Sequence, residues 1–410
     1  MTTTQDRTRP TVRPTELASA ERGFTARVGL GRLFAPVPSE FLMIASAALI
    51  LTVFGLVMVL SATVATSVSA GASPFEVVLK QGLFAVLGIP LMFVASRMPL
   101  LFWKRVSWVA LGVALGLQLL VFTGLGYEDA GNRNWISIAG IQAQPSEFLK
   151  LAFALWLGYV LYRKHTMLGD WRHVFIPVVP VGALVIGSVL AGADLGTAMV
   201  LVLIMLGALF FSGVKLRIFV LPLILAAVAV AFLAVSSPNR MRRIMSFLDP
   251  NCLADYTDGC YQPLHGIWGL ANGGVFGLGL GNSREKYNWL PAAAHDYIFA
   301  IVGEELGLIG CVVVLALFTL FAVGAFRVIR KTRDPFVRIV AGGVTVWVVG
   351  QALINIGVVL RVFPTLGVPL PFMSQGGTSL LSVLLATGVL LSLARSLPQT
   401  AASGQAARTR

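Results

Sequence analysis

Ten apolar runs dominate this chain, at about 40–62, 77–96, 106–123, 146–162, 174–191, 194–213, 217–236, 297–325, 339–360 and 377–394. Each reaches the ~17 residues with which a helix, rising about 1.5 Å per residue, can cross the hydrocarbon core of a bilayer. No water reaches backbone N–H and C=O groups in that core, so such a run must close its hydrogen bonds on itself as a helix. The expected fold is an all-α polytopic membrane protein with about ten transmembrane helices. Charged residues make up 12% of the 410, about half of what soluble domains carry, which leaves too little polar sequence for a separate soluble domain. A tight turn around Gly192 and Asp194 is all that parts the fifth and sixth runs.

The net charge of +13 would suggest nucleic acid in a soluble protein. Here most of the 31 Lys and Arg fall in the segments that alternate threading puts on one side, among them Arg97, Lys104, Arg105, Arg163, Lys164, Arg330 and Lys331. Positive charge marks the cytoplasmic side, so both termini are expected in the cytoplasm, and no nucleic acid is needed to explain the charge. Residues 1–37, rich in Thr, Arg and Pro, read as a disordered basic tail, and 397–410 as a second, shorter one. The ten-span domain occupies 38–396. No cleavable signal peptide precedes the first span, which is expected to serve as its own insertion signal.

One outer loop stands apart. Between the seventh and eighth spans, residues 237–296 form a large extracytoplasmic loop, and loops of that length usually carry function or are disordered. It holds Arg240, Arg242 and Arg243 against the positive-inside trend, so something must compensate them. It also holds Cys252 and Cys260, for which a disulfide on the oxidising outer face is one reading and two free thiols the other. Its glycines, Gly273 to Gly281, are read as tight turns and not as a phosphate cradle.

Ionisable residues within spans are costly and usually face an interior, a polar cavity or a partner. Glu147 and Lys150 share a helical face at i,i+3 spacing and can pair with each other, or Lys150 can turn to a substrate. Asp194 tops the sixth span. Glu304 and Glu305 lie in the eighth, about 12 Å deeper than Asp296 by helical rise. Two readings stand for these acids: hydrogen bonds and ion pairs that shape a cavity, or direct contact with substrate or a divalent cation. After the ninth span, "RVFPTLGVPLPFMSQGGTS" (361–379) cannot continue a helix because of its prolines and glycines. Broken backbone at membrane depth survives only where protein covers it or where it lines a wet cavity, and Ser374, Gln375, Thr378 and Ser379 suit a cavity wall.

The ordered stretches "GNRNWISIAGIQAQPSEFLKL", "ADLGTAMV", "NRMRRIMSFLDP", "YQPLHGIWGLANGGVFGLGLGNS", "HDYIFAIVGEELGLIG" and "PLPFMSQGGTS" resemble the motifs of the SEDS family (shape, elongation, division and sporulation). The likeness runs from about residue 40 to 395. It implies a ten-span peptidoglycan glycosyltransferase of the cytoplasmic membrane that polymerises lipid II on the outer face, partnered by a class B penicillin-binding protein transpeptidase. Within the family the chain is most like the division member, which would place it at the septum with other division proteins; the elongation member is a close second. The family's proposed catalytic acid falls on Asp296, a general base for the acceptor sugar hydroxyl. Substrate contacts implied are Lys150, Arg240, Arg243, Gln262, Ser374 and Gln375, the cations serving the pyrophosphate. Cavity or structural roles fall to Glu147, Asp194, Glu304, Glu305 and Asn355. No cofactor is assigned, and a divalent cation stays open. The chain departs from the family pattern at Ala294-His295, where several members carry His-Thr, and at Asn134, Asn288 and Gln375. A lipid II flippase and a non-catalytic division scaffold are the competing readings.

Overall fold

The computed structural model describes residues 37–129, 131–138, 141–220, 223–224, 228, 238–253 and 259–397. Among the described residues nine long helices coincide with nine of the ten apolar runs: α1 Ser39–Ser69, α2 Glu76–Ala95, α3 Leu100–Leu119, α4 Pro145–Arg163, α5 Trp171–Ala191, α6 Leu195–Ser212, α9 Ile298–Lys331, α10 Pro335–Val359 and α11 Gly377–Arg395. All but α4 are long and apolar enough to cross a membrane. α4 is the less apolar one because it carries Glu147 and Lys150. Of the seventh run, 217–236, only 217–220, 223, 224 and 228 are described, and both expected tails lie outside the described residues but for 37 and 397.

Helix ends follow from local chemistry. Asp334 caps α10 by accepting the Phe336 N–H at 2.8 Å, with Pro335 in the first turn. Asp170 and Asp194 do the same for α5 and α6. α4, α10 and α11 form the buried centre of the bundle. α1 packs on α9, α2 on α11, α3 on α4 and α6 on α10. Small residues allow the close approaches that hold helices together where the solvent is lipid. Gly55 of α1 sits against the backbone of Phe372 and Met373, and Gly388 of α11 against that of Met92 on α2.

One end of the bundle is pinned by charges. Lys331 at the end of α9 meets Glu40 at 2.5 Å, Lys104 meets Asp334 at 2.7 Å, and the Arg395 guanidinium lies 4.6 Å over the Phe41 ring. Asp296 precedes the first turn of α9, so it lies at the opposite end.

Two features depart from the sequence reading. The loop before α4 is a three-stranded antiparallel sheet, β1 Gly126–Asp129, β2 Asn132–Ile138 and β3 Ile141–Ala143, turning at Gly131 with φ 82°. The large loop contains two helices, α7, Pro238–Leu248, and α8, Tyr261–Gly273. A disulfide joins Cys252 to Cys260 across 5.4 Å between Cα atoms.

α9 is also interrupted. Gly307 has φ 65° and ψ −162°, which splits the helix. The segment after α8 fills the gap: Leu278 and Gly279 donate N–H groups to the carbonyls of Glu304 and Glu305, both at 2.9 Å, and Leu308 donates to Gly274 O at 2.9 Å. The backbone groups freed by the break are thus satisfied by a second piece of chain, as hydrocarbon surroundings demand.

Candidate active site

Asp296 ends a turn that the backbone closes tightly. Ala292, at φ 53°, accepts the N–H groups of both His295 (3.0 Å) and Asp296 (3.1 Å). The Asn355 side chain, buried on α10, donates to Asp296 O at 2.7 Å and to Val368 O at 2.8 Å. That amide ties the acid's own backbone to the irregular strap 361–376. Gln375 adds a second tie, its N–H donating to Ala294 O at 2.8 Å while its carbonyl accepts from His295 Nδ1 at 3.0 Å. From α2, Gln81 donates to Ser374 O at 3.2 Å and accepts from Gly376 N at 3.0 Å. The prolines and glycines that forbid a helix here leave backbone groups for these side chains to satisfy.

The strap, the turn, α7 and the first turns of α4, α6 and α11 enclose a cavity of about 800 Å³. It meets Asp296, Asp194, Glu147, Arg243, Gln262 and Gln375 among the residues expected from sequence. Arg242, Gln144 and Asn134, which that reading did not place in the site, also line it. The "RR" pair in "NRMRRIMSF" is the signal for Arg242: successive residues of a helix lie about 100° apart, so two long cations can reach one cavity. Gly367 faces the acid, and a Cβ there would stand 3.6 Å from Asp296 Oδ2.

The other acids at the cavity are already engaged. Asp194 accepts the Thr197 N–H at 2.9 Å, Asn134 Nδ2 at 2.6 Å and Gln144 Nε2 at 3.0 Å. It caps α6 and holds the β-sheet segment against it. Glu147 is 2% exposed and pairs with Lys150, 1% exposed, at 2.8 Å. Lys150 also reaches Gln351 Oε1 at 3.3 Å and lies 5.0 Å over the Trp347 ring. The structure therefore keeps Lys150 beneath the cavity, away from its surface. Removing one partner of such a pair leaves a buried charge uncompensated. Lys150→Met is expected to cost about 3 kcal/mol, and the double change Glu147→Gln/Lys150→Met to recover most of it. Thermal melting of the purified protein measures both.

Ser374 is buried, and its hydroxyl accepts the Leu370 N–H at 2.7 Å within the strap, off the cavity surface. Gln262, on α8, donates to Pro291 O at 3.0 Å beside the Asp296 turn. Arg240 lies on α7, but its side chain is outside the described residues. Glu304 and Glu305, both fully buried, stand below the inserted segment. Glu304 accepts from the Ser283 hydroxyl and from Arg284 N at 3.0 Å, and Glu305 from the Ser61 hydroxyl at 2.6 Å and Lys286 Nζ at 3.4 Å. Their oxygens are spent on anchoring 283–286. Among the described residues no three His, Cys, Asp or Glu side chains stand together as metal ligands.

Asp296 is the acid with a carboxylate left for a ligand: it is half-buried, and no hydrogen bond to its carboxylate oxygens occurs among the described residues. Burial pushes its carboxyl above the ordinary carboxylate range, with Asp194 adding to that, while His295 and Arg243 act in the opposite direction. The adjacent Tyr297, wholly buried, is pushed up to about 12, mainly by burial, and stays neutral. A cavity of this volume suits a ligand of several hundred cubic ångströms. It offers one base-competent carboxyl, two exposed guanidinium groups on α7 and several amides.

The chain is similar to known proteins in sequence and in shape. A Mycobacterium tuberculosis protein named "probable peptidoglycan glycosyltransferase FtsW" is 39% identical over 380 residues, spanning 92% of this chain and 71% of its own. A Geobacter metallireducens protein of the same name is 35% identical over 353 residues, 86% of this chain and 94% of its own. Among solved structures, a chain from "Structural coordination of polymerization and crosslinking by a peptidoglycan synthase complex" superposes with a TM-score of 0.66 at 25% identity, covering 84% of this chain and 98% of that one. The rod shape determining protein RodA of Thermus thermophilus shares the fold, with a TM-score of 0.64 at 22% identity, covering 90% of this chain and all of that one. The model of the FtsW/RodA/SpoVE family of cell cycle proteins matches residues 41–399, and the chain belongs to that family.

Proposed function

We propose that this chain is a peptidoglycan glycosyltransferase that polymerises lipid II into glycan strands during cell division. The observation that carries the reading is Asp296, half-buried and without a side-chain partner among the described residues, in a cavity also lined by Arg242 and Arg243. In the proposed step the Asp296 carboxylate takes the proton of the acceptor 4-hydroxyl. That oxygen forms a bond to the anomeric carbon of the donor sugar as the bond from this carbon to the undecaprenyl pyrophosphate oxygen breaks. The electron pair leaves with the pyrophosphate, and the α7 guanidinium groups offset its charge.

The basic end of the bundle, with Lys331, Lys104 and Arg395, is the cytoplasmic one by the positive-inside rule. The cavity then opens on the outer face, where the strands are needed. Both FtsW relatives support a division role and, with it, a septal location. The peptidoglycan synthase complex supports a cross-linking partner, which we take to be a class B penicillin-binding protein. Proteoliposomes given labelled lipid II only on the outside test the reading: elongated glycan is expected. Labelled lipid II moved across the bilayer without elongation would replace the reading with a flippase, and neither activity would leave a scaffold.

The electrostatics add a pH prediction. The base works ionised, and its carboxyl titrates above the ordinary range, so polymerisation is lost as pH falls through that raised value, at a higher pH than an exposed aspartate near 4 would give. Arg243→Gln removes a cation that favours the ionised form, so the acid limb of the rate profile moves to still higher pH. An unmoved limb would separate Arg243 from the base.

A further inference from the structure

His295 stands beside the proposed base with one nitrogen committed and one free. Its Nδ1 lies 3.0 Å from Gln375 O. A carbonyl only accepts, so Nδ1 carries the hydrogen whether the ring is neutral or charged. In the neutral ring this leaves the lone pair on Nε2, and no partner occupies that atom among the described residues. The residue is exposed, lines the cavity together with Asp296, and shares the rigid turn closed on Ala292 O. The other charged groups around the cavity among the described residues are Asp194 and Glu147, both engaged in hydrogen bonds, and Arg242 and Arg243 on α7.

Which step this nitrogen serves follows from the geometry of displacement. The attacking oxygen and the leaving pyrophosphate lie on opposite sides of the anomeric carbon. His295 neighbours the base in the chain, is held in the same turn and lines the same cavity, so we place it with the attacking oxygen. The cations of α7 suit the leaving group. Asp296 therefore accepts one proton for each sugar bond formed and must lose it before the next. While a glycan fills the cavity, bulk water reaches the half-buried carboxyl poorly, whereas His295 lies at the exposed edge.

We propose that His295 is the proton relay of this site: its neutral Nε2 takes the proton that Asp296 has removed from the acceptor hydroxyl and releases it to outside water. The balance is simple. The hydroxyl O–H bond breaks, the proton passes to the Asp296 carboxylate and then to Nε2, and both groups return to their starting forms when the imidazolium deprotonates. The inference rests on Asp296 being the base.

The test uses the full-length purified protein and steady-state polymerisation of lipid II across a pH series. His295→Asn keeps a side-chain N–H for the Gln375 carbonyl and so preserves the strap tie, but has no titrating nitrogen. The expected result is a fall in kcat of about a hundredfold, at the low end for a proton-transfer group, with KM and melting temperature unchanged. In His295→Ala, added imidazole is expected to restore kcat in proportion to its free-base concentration, and to restore nothing in Asp296→Asn. A wild-type kcat for His295→Asn at every pH, or an imidazole-insensitive His295→Ala that is folded and impaired, overturns the relay. Should Asp296→Asn be dead in the first of these cases, the relay alone fails; should Asp296→Asn be fully active, the base fails and the relay with it.

Discussion

Asp296→Asn is expected to lower lipid II polymerisation by the purified protein by about 10²–10⁴-fold, the usual worth of a positioned proton-transfer group, while leaving the protein folded. The ties that hold this turn are to backbone atoms: Asp296 N donates to Ala292 O, and Asp296 O accepts from Asn355. An asparagine side chain inherits both. The carboxylate has no internal partner to lose, and its ionised form is disfavoured by burial, so removing the charge does not weaken the fold. What disappears is the ability to accept a proton. Asp296→Glu keeps that ability but carries it one methylene further, toward Gly367, and is expected to retain a small fraction of activity. Full activity in Asp296→Asn, with melting temperature and detergent-solubilised size unchanged, would remove this residue from the mechanism.

The second large effect is structural. Gly277→Ala and Gly307→Ala are each expected to prevent accumulation of folded protein, at a cost above about 4 kcal/mol. At Gly277 (φ 81°) an added Cβ would collide with the Glu305 carbonyl, and at Gly307 (φ 65°) with the backbone of Val275 and Gly277. These contacts are backbone against backbone inside a helix break, so neither side can yield without losing hydrogen bonds that lipid cannot replace. Gly71 is the control: it too has a left-handed φ, 70°, but a Cβ there meets nothing within 4 Å. Gly71→Ala is expected to cost only about 1–2 kcal/mol, the ordinary penalty of that conformation. Fluorescence-detected size exclusion of tagged variants reads all three. Normal yields of Gly277→Ala would show that the inserted segment moves aside freely.

The helices were legible because a lipid-spanning helix needs little beyond length and apolarity, and nine of the ten runs fall on long helices of the described residues. The cavity was legible in part. Asp296, Asp194 and Arg243 stand out as charges where charge is costly, and the strap stands out by its prolines. The positions of Lys150 and Ser374 were not legible. Each is a polar group whose spacing permits either a ligand or an internal partner, and only the neighbouring helices decide. Lys150 is claimed by Glu147 and Gln351, and Ser374 by Leu370 N. Gln81, far away in sequence on a helix with no marked pattern, gave no sign that it holds the strap. Nor did glycines read as simple turns reveal that a segment plugs a broken helix, because the partner of each backbone group lies some thirty residues away.

The pair beneath the cavity has a further consequence. Glu147 and Lys150 sit dehydrated among Trp347, Gln351 and Ser382, and a charged headgroup passing that point would have to displace both ions from each other. Beneath the chamber the wall is thus closed by a neutralised pair of opposite charges as well as by packing.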